Sequence, residues 1–217
     1  MQSAEEPPAA RTESLTQLLG GQRGAVDATL PAVAFAAGWA LVHRSIGAGA
    51  VAALVAGVLL AGWRVSRGRR PVAAVVGMLG VCLAALVALR TGRAENFFLV
   101  QLLSNAGSAL AWAVSILARW PLLGVVVGAA LGQRGRWRRD PDLLRAYSRA
   151  SWIWVLQYVV RVLVFAPLWY AGEVVWLAAA RVALSWPLVV ACLAVSWWVL
   201  RRSLPEGHPG LRTPLPA

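Results

Sequence analysis

Apolar residues run along this chain in stretches of bilayer-crossing length, separated by short polar loops. A helix of about 20 mostly apolar residues spans the hydrocarbon core. The pattern predicts such segments at 25–42, 46–63, 71–89, 97–132, 150–170 and 174–200. Pro71 suits the first turn of the third helix, and Asp140-Pro141 reads as an N-cap followed by proline at the first helical position. From that cap a polar helix, Asp142 to Arg149, is expected along the membrane surface before the fifth span. The fourth segment, 97–132, is too long for one upright crossing and short for two with a turn. Pro121 within it and Pro187 within the sixth segment each remove a backbone donor, so both helices are expected to kink there.

Loop charge arbitrates the fourth segment. The chain has 21 basic residues, all arginine, and two blocks dominate: Arg64, Arg67, Arg69 and Arg70, then Arg134, Arg136, Arg138, Arg139, Arg145 and Arg149. Basic loops stay cytoplasmic, and a single crossing by the fourth segment keeps both blocks on that side. The fold class is therefore all-α, a polytopic membrane bundle of about six transmembrane helices with both termini cytoplasmic in a bacterial inner membrane. Residues 1–24 form a polar N-terminal segment, 25–202 the transmembrane domain, and 203–217 a tail with four prolines that is expected to be loose. A net charge of +12 in a chain that is 59% hydrophobic points to the lipid bilayer as partner, not to nucleic acid. Tryptophans gather near segment ends, where amphipathic rings suit the interface.

Polar residues inside these segments are the candidate chemistry. Gln101, Asn105, Ser108, Ser115 and Arg119 recur at helical spacing on the fourth segment, with Trp112 between. A polar stripe avoids lipid, so it faces other helices or water. Interhelical hydrogen bonding and a lined solute pathway both fit it. Arg161 lies near the middle of the fifth span with Gln157 one turn away, and Arg181 with Ser185 forms a similar pair on the sixth. A mid-membrane arginine costs roughly 2.5–3.5 kcal/mol on insertion scales, so each points inward. Acidic partners are few: Asp27 near the inner face, Glu95 and Glu173 outside. More inward-facing arginine than acid leaves an electropositive interior, suited to a small anionic solute or a lipid head group.

Small residues at four-residue spacing, Gly124, Gly128 and Gly132 and then Ala53, Gly57 and Ala61, are expected to pack helices closely. Ser115-Ile-Leu-Ala-Arg-Trp-Pro-Leu122 echoes Arg181-Val-Ala-Leu-Ser-Trp-Pro-Leu188, and paired proline interruptions can mark repeated halves around a transport site. Cys82 and Cys192 read as small hydrophobes. No metal-ligand spacing, phosphate loop, dinucleotide motif or nucleophile-base set stands in the sequence, so no cofactor is expected and an enzyme is disfavoured.

Several runs carry a family resemblance: Ser14-Leu-Thr-Gln-Leu-Leu-Gly-Gly-Gln-Arg-Gly24 before Asp27, Leu30-Pro-Ala-Val-Ala-Phe35, Ala88-Leu-Arg-Thr-Gly-Arg-Ala-Glu-Asn-Phe-Phe-Leu99, Arg119-Trp-Pro-Leu-Leu-Gly124 and Trp137-Arg-Arg-Asp140. With them the chain resembles an uncharacterised actinobacterial membrane-protein family, the domain of unknown function numbered 3159. That resemblance implies a membrane protein and no activity. More distantly, the layout is similar to the intracellular septation protein A family, which implies a link to envelope maintenance and division. Three functions stay open: a carrier or channel for a small, anionic solute; an envelope scaffold binding other membrane proteins or its own copies; and an integral-membrane enzyme on a lipid or isoprenoid substrate.

Overall fold

The computed structural model describes residues 21–68, 71–133, 135–205 and 208–211, with side chains from Thr29 onward except those of residues 71 and 73. Among the described residues there is no strand. The helices are α1 (Gly21–Leu41), α2 (Ile46–Ser66), α3 (Pro71–Thr91), α4 (Leu99–Leu117), α5 (Leu122–Ala130), α6 (Pro141–Tyr170), α7 (Val174–Ala183) and α8 (Trp186–Ser203). Short 3-10 turns, Ala94–Phe98 and Arg136–Arg139, precede α4 and α6. Five stretches are long and apolar enough to cross a membrane: α2, Ala74–Thr91 of α3, Ala94–Leu117, α6, and α7 with α8. Within α1, Thr29–Leu41 is a shorter apolar helix. Large apolar side chains on these helices point outward, Val58, Leu59, Leu79, Leu110 and Leu163 among them. Such a surface suits lipid, not water, and the chain is a membrane protein.

Why the chain turns where it does is local chemistry. His43 and Arg44 adopt left-handed backbone (φ 48° and 57°) between α1 and α2. Ser45 then caps α2, its side chain accepting from the Ala48 N–H at 3.3 Å. The two helices can lie against each other because Gly38 and Gly49 lack side chains. A Cβ on Gly38 would come within 2.8 Å of the Ala48 carbonyl, and one on Gly49 within 2.9 Å of the Phe35 carbonyl. Phe35 is fully buried and stacks on Phe97 at 4.0 Å, with Phe98 edge-on to both. That aromatic knot fastens α1 to the start of α4.

The bundle has two chemically different ends. At one, Asn96 donates to Thr91 Oγ1 at 3.0 Å and accepts from Trp169 Nε1 at 2.9 Å, tying the end of α3, the start of α4 and the end of α6 together. Glu95 pairs there with Arg93 at 2.5 Å. At the other end, 30 residues back along α6 and about 45 Å away, Asp140 caps α6 by accepting from the Asp142 and Leu143 N–H groups, as expected. Because α3 ends at Thr91 beside Asn96, its start and the end of α2 lie at the Asp140 end. Both arginine blocks, as far as they are described, therefore share one end.

Three expectations need correction. No separate surface helix precedes the fifth span: Pro141–Tyr170 is one continuous helix, because no proline or glycine stands between Pro141 and Pro167 to interrupt it where the polar turn meets the span. The fourth and sixth segments are interrupted rather than kinked within a continuous helix. One breaks after Leu117, with Arg119 left-handed at φ 55° and Pro121 capping α5. The other breaks at Leu184 and Ser185, placing Pro187 in the first turn of α8, where its missing N–H costs nothing. Arg138 sits 3.9 Å from the centre of the Trp120 ring, so the first break lies at the arginine end. Nine-residue α5 is too short to cross back.

The tail is not loose throughout. His208 Nε2 lies 2.9 Å from Asp140 Oδ2 with both side chains 1% exposed. Its Nδ1 accepts from the Gly210 N–H at 3.0 Å, which leaves Nε2 to donate to the carboxylate. Gln133 donates to the Leu211 carbonyl. Polar side chains buried on the mouth of α6 hold this segment, and the proline count gave no hint of them. Residues 1–20, 69, 70, 134, 206, 207 and 212–217 lie outside the described residues, and so does the N-terminal segment expected at 1–24 up to Gly20.

Candidate functional site

Four of the residues singled out in the sequence line one cavity. Gln101 from α4, Arg161 from α6, Arg181 from α7 and Ser185 from the α7–α8 break surround about 190 Å³ of space, with Thr29 and Phe165 beside them. Each arrives there for a structural reason. Gln101 lies one turn into α4, directly after the Phe97–Phe98 knot that fixes that helix against α1. Arg161 is carried inward by the buried face of α6, which includes Gln157 and Phe165. At the break between α7 and α8, the Ser185 carbonyl accepts from the Val189 N–H at 3.4 Å and also from an Arg161 Nη at 3.4 Å. Ser185 Oγ turns back to donate to the Val182 carbonyl at 2.6 Å, helping close the end of α7.

Arg161 is half-buried, lies 5.8 Å from the centre of the Tyr158 ring, and has a buried Nε with no partner among the described residues. A buried donor left unpaired costs about 1–3 kcal/mol, so this guanidinium is held in place with hydrogen-bonding capacity to spare. Other buried polar atoms along these helices also have no partner among the described residues: Asn105 Nδ2 on α4, Ser151 Oγ and Gln157 Oε1 on α6, and Ser196 Oγ on α8.

The rest of the predicted stripe divides. Asn105 is buried at 3% exposure and Ser108 is half-buried, while Leu103, Leu110 and Val114 on the opposite side are exposed. Val100, at helical spacing with that outer side, is half-buried. Ser115 has a structural task. Its Oγ donates to the Trp112 carbonyl at 2.7 Å and accepts from the Leu122 N–H at 3.3 Å, bridging the break between α4 and α5. Arg119 does not belong with the stripe: helical spacing lapses after Leu117, and the residue sits exposed in the break. The side chain of Asp27 lies outside the described residues, although its backbone is part of α1. Glu173 is exposed before α7, and Glu95 is engaged by Arg93. Thr29 was the residue overlooked. As a hydroxyl two positions ahead of Pro31 within an apolar run it carried the same kind of signal as Ser108, and it is 8% exposed.

A second, larger cavity of about 250 Å³ adjoins the first, sharing Gln101 and Arg181, and extends toward Arg64 between α2, α3 and α4. No group of three or more histidine, cysteine or acidic side chains able to hold a metal occurs among the described residues. Cys82 and Cys192 are both free thiols, one exposed and one buried.

Residues 19–207 match the model of the family described as Protein of unknown function (DUF3159), and the chain belongs to that family. No curated protein matches, and no solved structure does.

Proposed function

We propose that this DUF3159 member is a six-pass protein of the bacterial cytoplasmic membrane that binds a small anion between α1, α4, α6 and α7, and carries it across. The carrying observation is the convergence of Arg161, Arg181, Gln101 and Ser185 on one cavity. Two guanidinium groups facing one space repel, and an anion between them turns that repulsion into attraction. Planar guanidinium forks match carboxylate and phosphate oxygens, and the unpaired Arg161 Nε supplies a further donor. Interrupted helices beside the cavity suit a carrier, because irregular backbone at membrane depth is tolerated where it lines a protein interior. The six passes are α1, α2, α3, α4, α6 and α7 with α8, with α5 lying at the cytoplasmic end.

Purified protein tested at constant ionic strength with phosphate, chloride and acetate distinguishes this from a solid scaffold. Binding at 100 times Kd stabilises by about 2.7 kcal/mol, a Tm rise of roughly 5–10 °C for a chain of this size. Arg161→Leu should fold and lose both the Tm rise and anion flux into proteoliposomes, while Arg161→Lys keeps part of each. A parent protein that none of the three anions stabilises or crosses with would leave the scaffold reading in its place.

A further inference from the structure

We propose that the larger cavity is a binding groove for one anionic phospholipid of the arginine-side leaflet. Its acyl chain lies between α2, α3 and α4, and its phosphate sits at Arg64. This goes beyond the anion reading and does not depend on it.

Three features carry the assignment. The first is the shape of the space. The cavity of about 250 Å³ falls below the roughly 300–1,000 Å³ of sites that enclose a compact ligand, and its walls run along two membrane-length helices. Gly77 and Gly80 line it, and a Cβ built on either meets nothing within 4 Å. These glycines are therefore not where helices touch, unlike Gly57 opposite, whose Cβ would meet the Met78 sulfur at 3.1 Å.

The second feature is why the groove stays open. At the Asn96 end α3 is tied to the start of α4 through Thr91 and Asn96. Farther down, Ser104 and Gly107 of α4 are exposed, and a Cβ on Gly107 meets nothing within 4 Å. The outward faces of α3 here, Val72, Val76 and Leu79, are 63–70% exposed, so lipid already surrounds the opening.

The third is charge. Arg64 lines the cavity and stands in the last turn of α2, at interfacial depth, and Arg67 follows with its guanidinium 5.4 Å from the centre of the Trp63 ring. Arginines at this helix end form the rim where a phosphate resides. Lipid tails already have apolar neighbours in the bilayer, so moving a chain into a groove whose lining adds Gln101, Ser104 and Arg181 to apolar residues gains little. Selectivity must come from the head group on Arg64, which makes the occupant anionic rather than zwitterionic.

The test uses full-length protein delipidated in neutral detergent, then titrated with phosphatidylglycerol or phosphatidylcholine while Tm and bound lipid by native mass spectrometry are recorded. The parent should hold one phosphatidylglycerol at least about tenfold more tightly than phosphatidylcholine, the scale of one charge-assisted hydrogen bond. Arg64→Gln should abolish that preference. Gly80→Leu should fill the groove and lose the bound lipid while melting near the parent before lipid is added; Gly62→Leu, at a glycine with open space outside the cavity, should leave it bound. Retention of phosphatidylglycerol by Gly80→Leu, or equal affinity for both lipids, overturns the assignment. So does rapid reaction of Gly77→Cys, in a Cys82→Ser background, with a charged, water-soluble thiol reagent, since that would make the groove an aqueous chamber.

Discussion

Gly124 and Gly128 show how residue chemistry and sequence spacing part company. Their four-residue repeat suggested a face where helices touch, and close packing is indeed their use, but the partner is a side chain. Trp137, 2% exposed, lays its indole across both, and a Cβ would stand 2.8 Å from the ring at Gly124 and 2.5 Å at Gly128. Spacing can announce a flat surface; it cannot say that a ring from nine residues beyond Gly128 will cover it. Gly128→Ala should lower stability by about 1–3 kcal/mol, the usual cost of overfilling a packed site, seen as a lower Tm and altered tryptophan fluorescence. Gly107→Ala, where the space is open, should be neutral or stabilise by up to about 1 kcal/mol through helix propensity. A Gly128→Ala protein melting at or above the parent would remove Trp137 as the reason for the glycine. The same lesson covers Arg161. Its burial was legible because charge and lipid are incompatible, but its acceptor, the Ser185 carbonyl, lies 24 residues away on another element.

Interruption is the theme at the level of elements. Prolines announced trouble near 121 and 187, and the physical reason was readable: no N–H and a clash with the preceding turn. What one residue type cannot reveal is whether a helix bends or stops. Here the answer lies in neighbours: Arg119 turns left-handed, and Ser115 seizes the Leu122 N–H that would otherwise be an orphan at the start of α5. Left-handed backbone costs a non-glycine residue about 1–2 kcal/mol, so Arg119→Gly should raise stability by up to that amount if the exposed guanidinium has no other task. Ser115→Ala should cost about 0.5–1.5 kcal/mol through its lost hydrogen bonds. Differential melts in one detergent read both, and an unchanged Ser115→Ala would mean that Pro121 alone sets the break. The tail follows the same rule. His208→Ala removes a buried hydrogen bond to Asp140 and should cost about 1–3 kcal/mol, with limited proteolysis near Pro205 accelerating while the rest of the chain stays protected.

For the whole molecule, hydropathy and loop charge made the class legible from the sequence: helical, membrane-embedded and asymmetric in charge. Long-range ties were not legible, because pairs such as Asn96 with Trp169 and Asp140 with His208 join residues 73 and 68 positions apart. Those ties define the two ends of the bundle and so sharpen the topology. If Asn96, Thr91 and Trp169 mark one end, then the exposed Ser66 and Arg139 belong to the other. Arginine-rich loops resist translocation, so Ser66 and Arg139 should face the cytoplasm while Arg93 and Glu173 face outward. Single cysteines at Ser66, Arg93, Arg139 and Glu173, in a chain carrying Cys82→Ala and Cys192→Ala, test this with a membrane-impermeant maleimide on intact cells. Arg93→Cys and Glu173→Cys should label at once; Ser66→Cys and Arg139→Cys should label only after permeabilisation. Labelling of Arg139→Cys from outside would require α4 and α5 together to cross twice. That would put the second arginine block and the His208 clasp outside, and the six-pass arrangement would have to be given up.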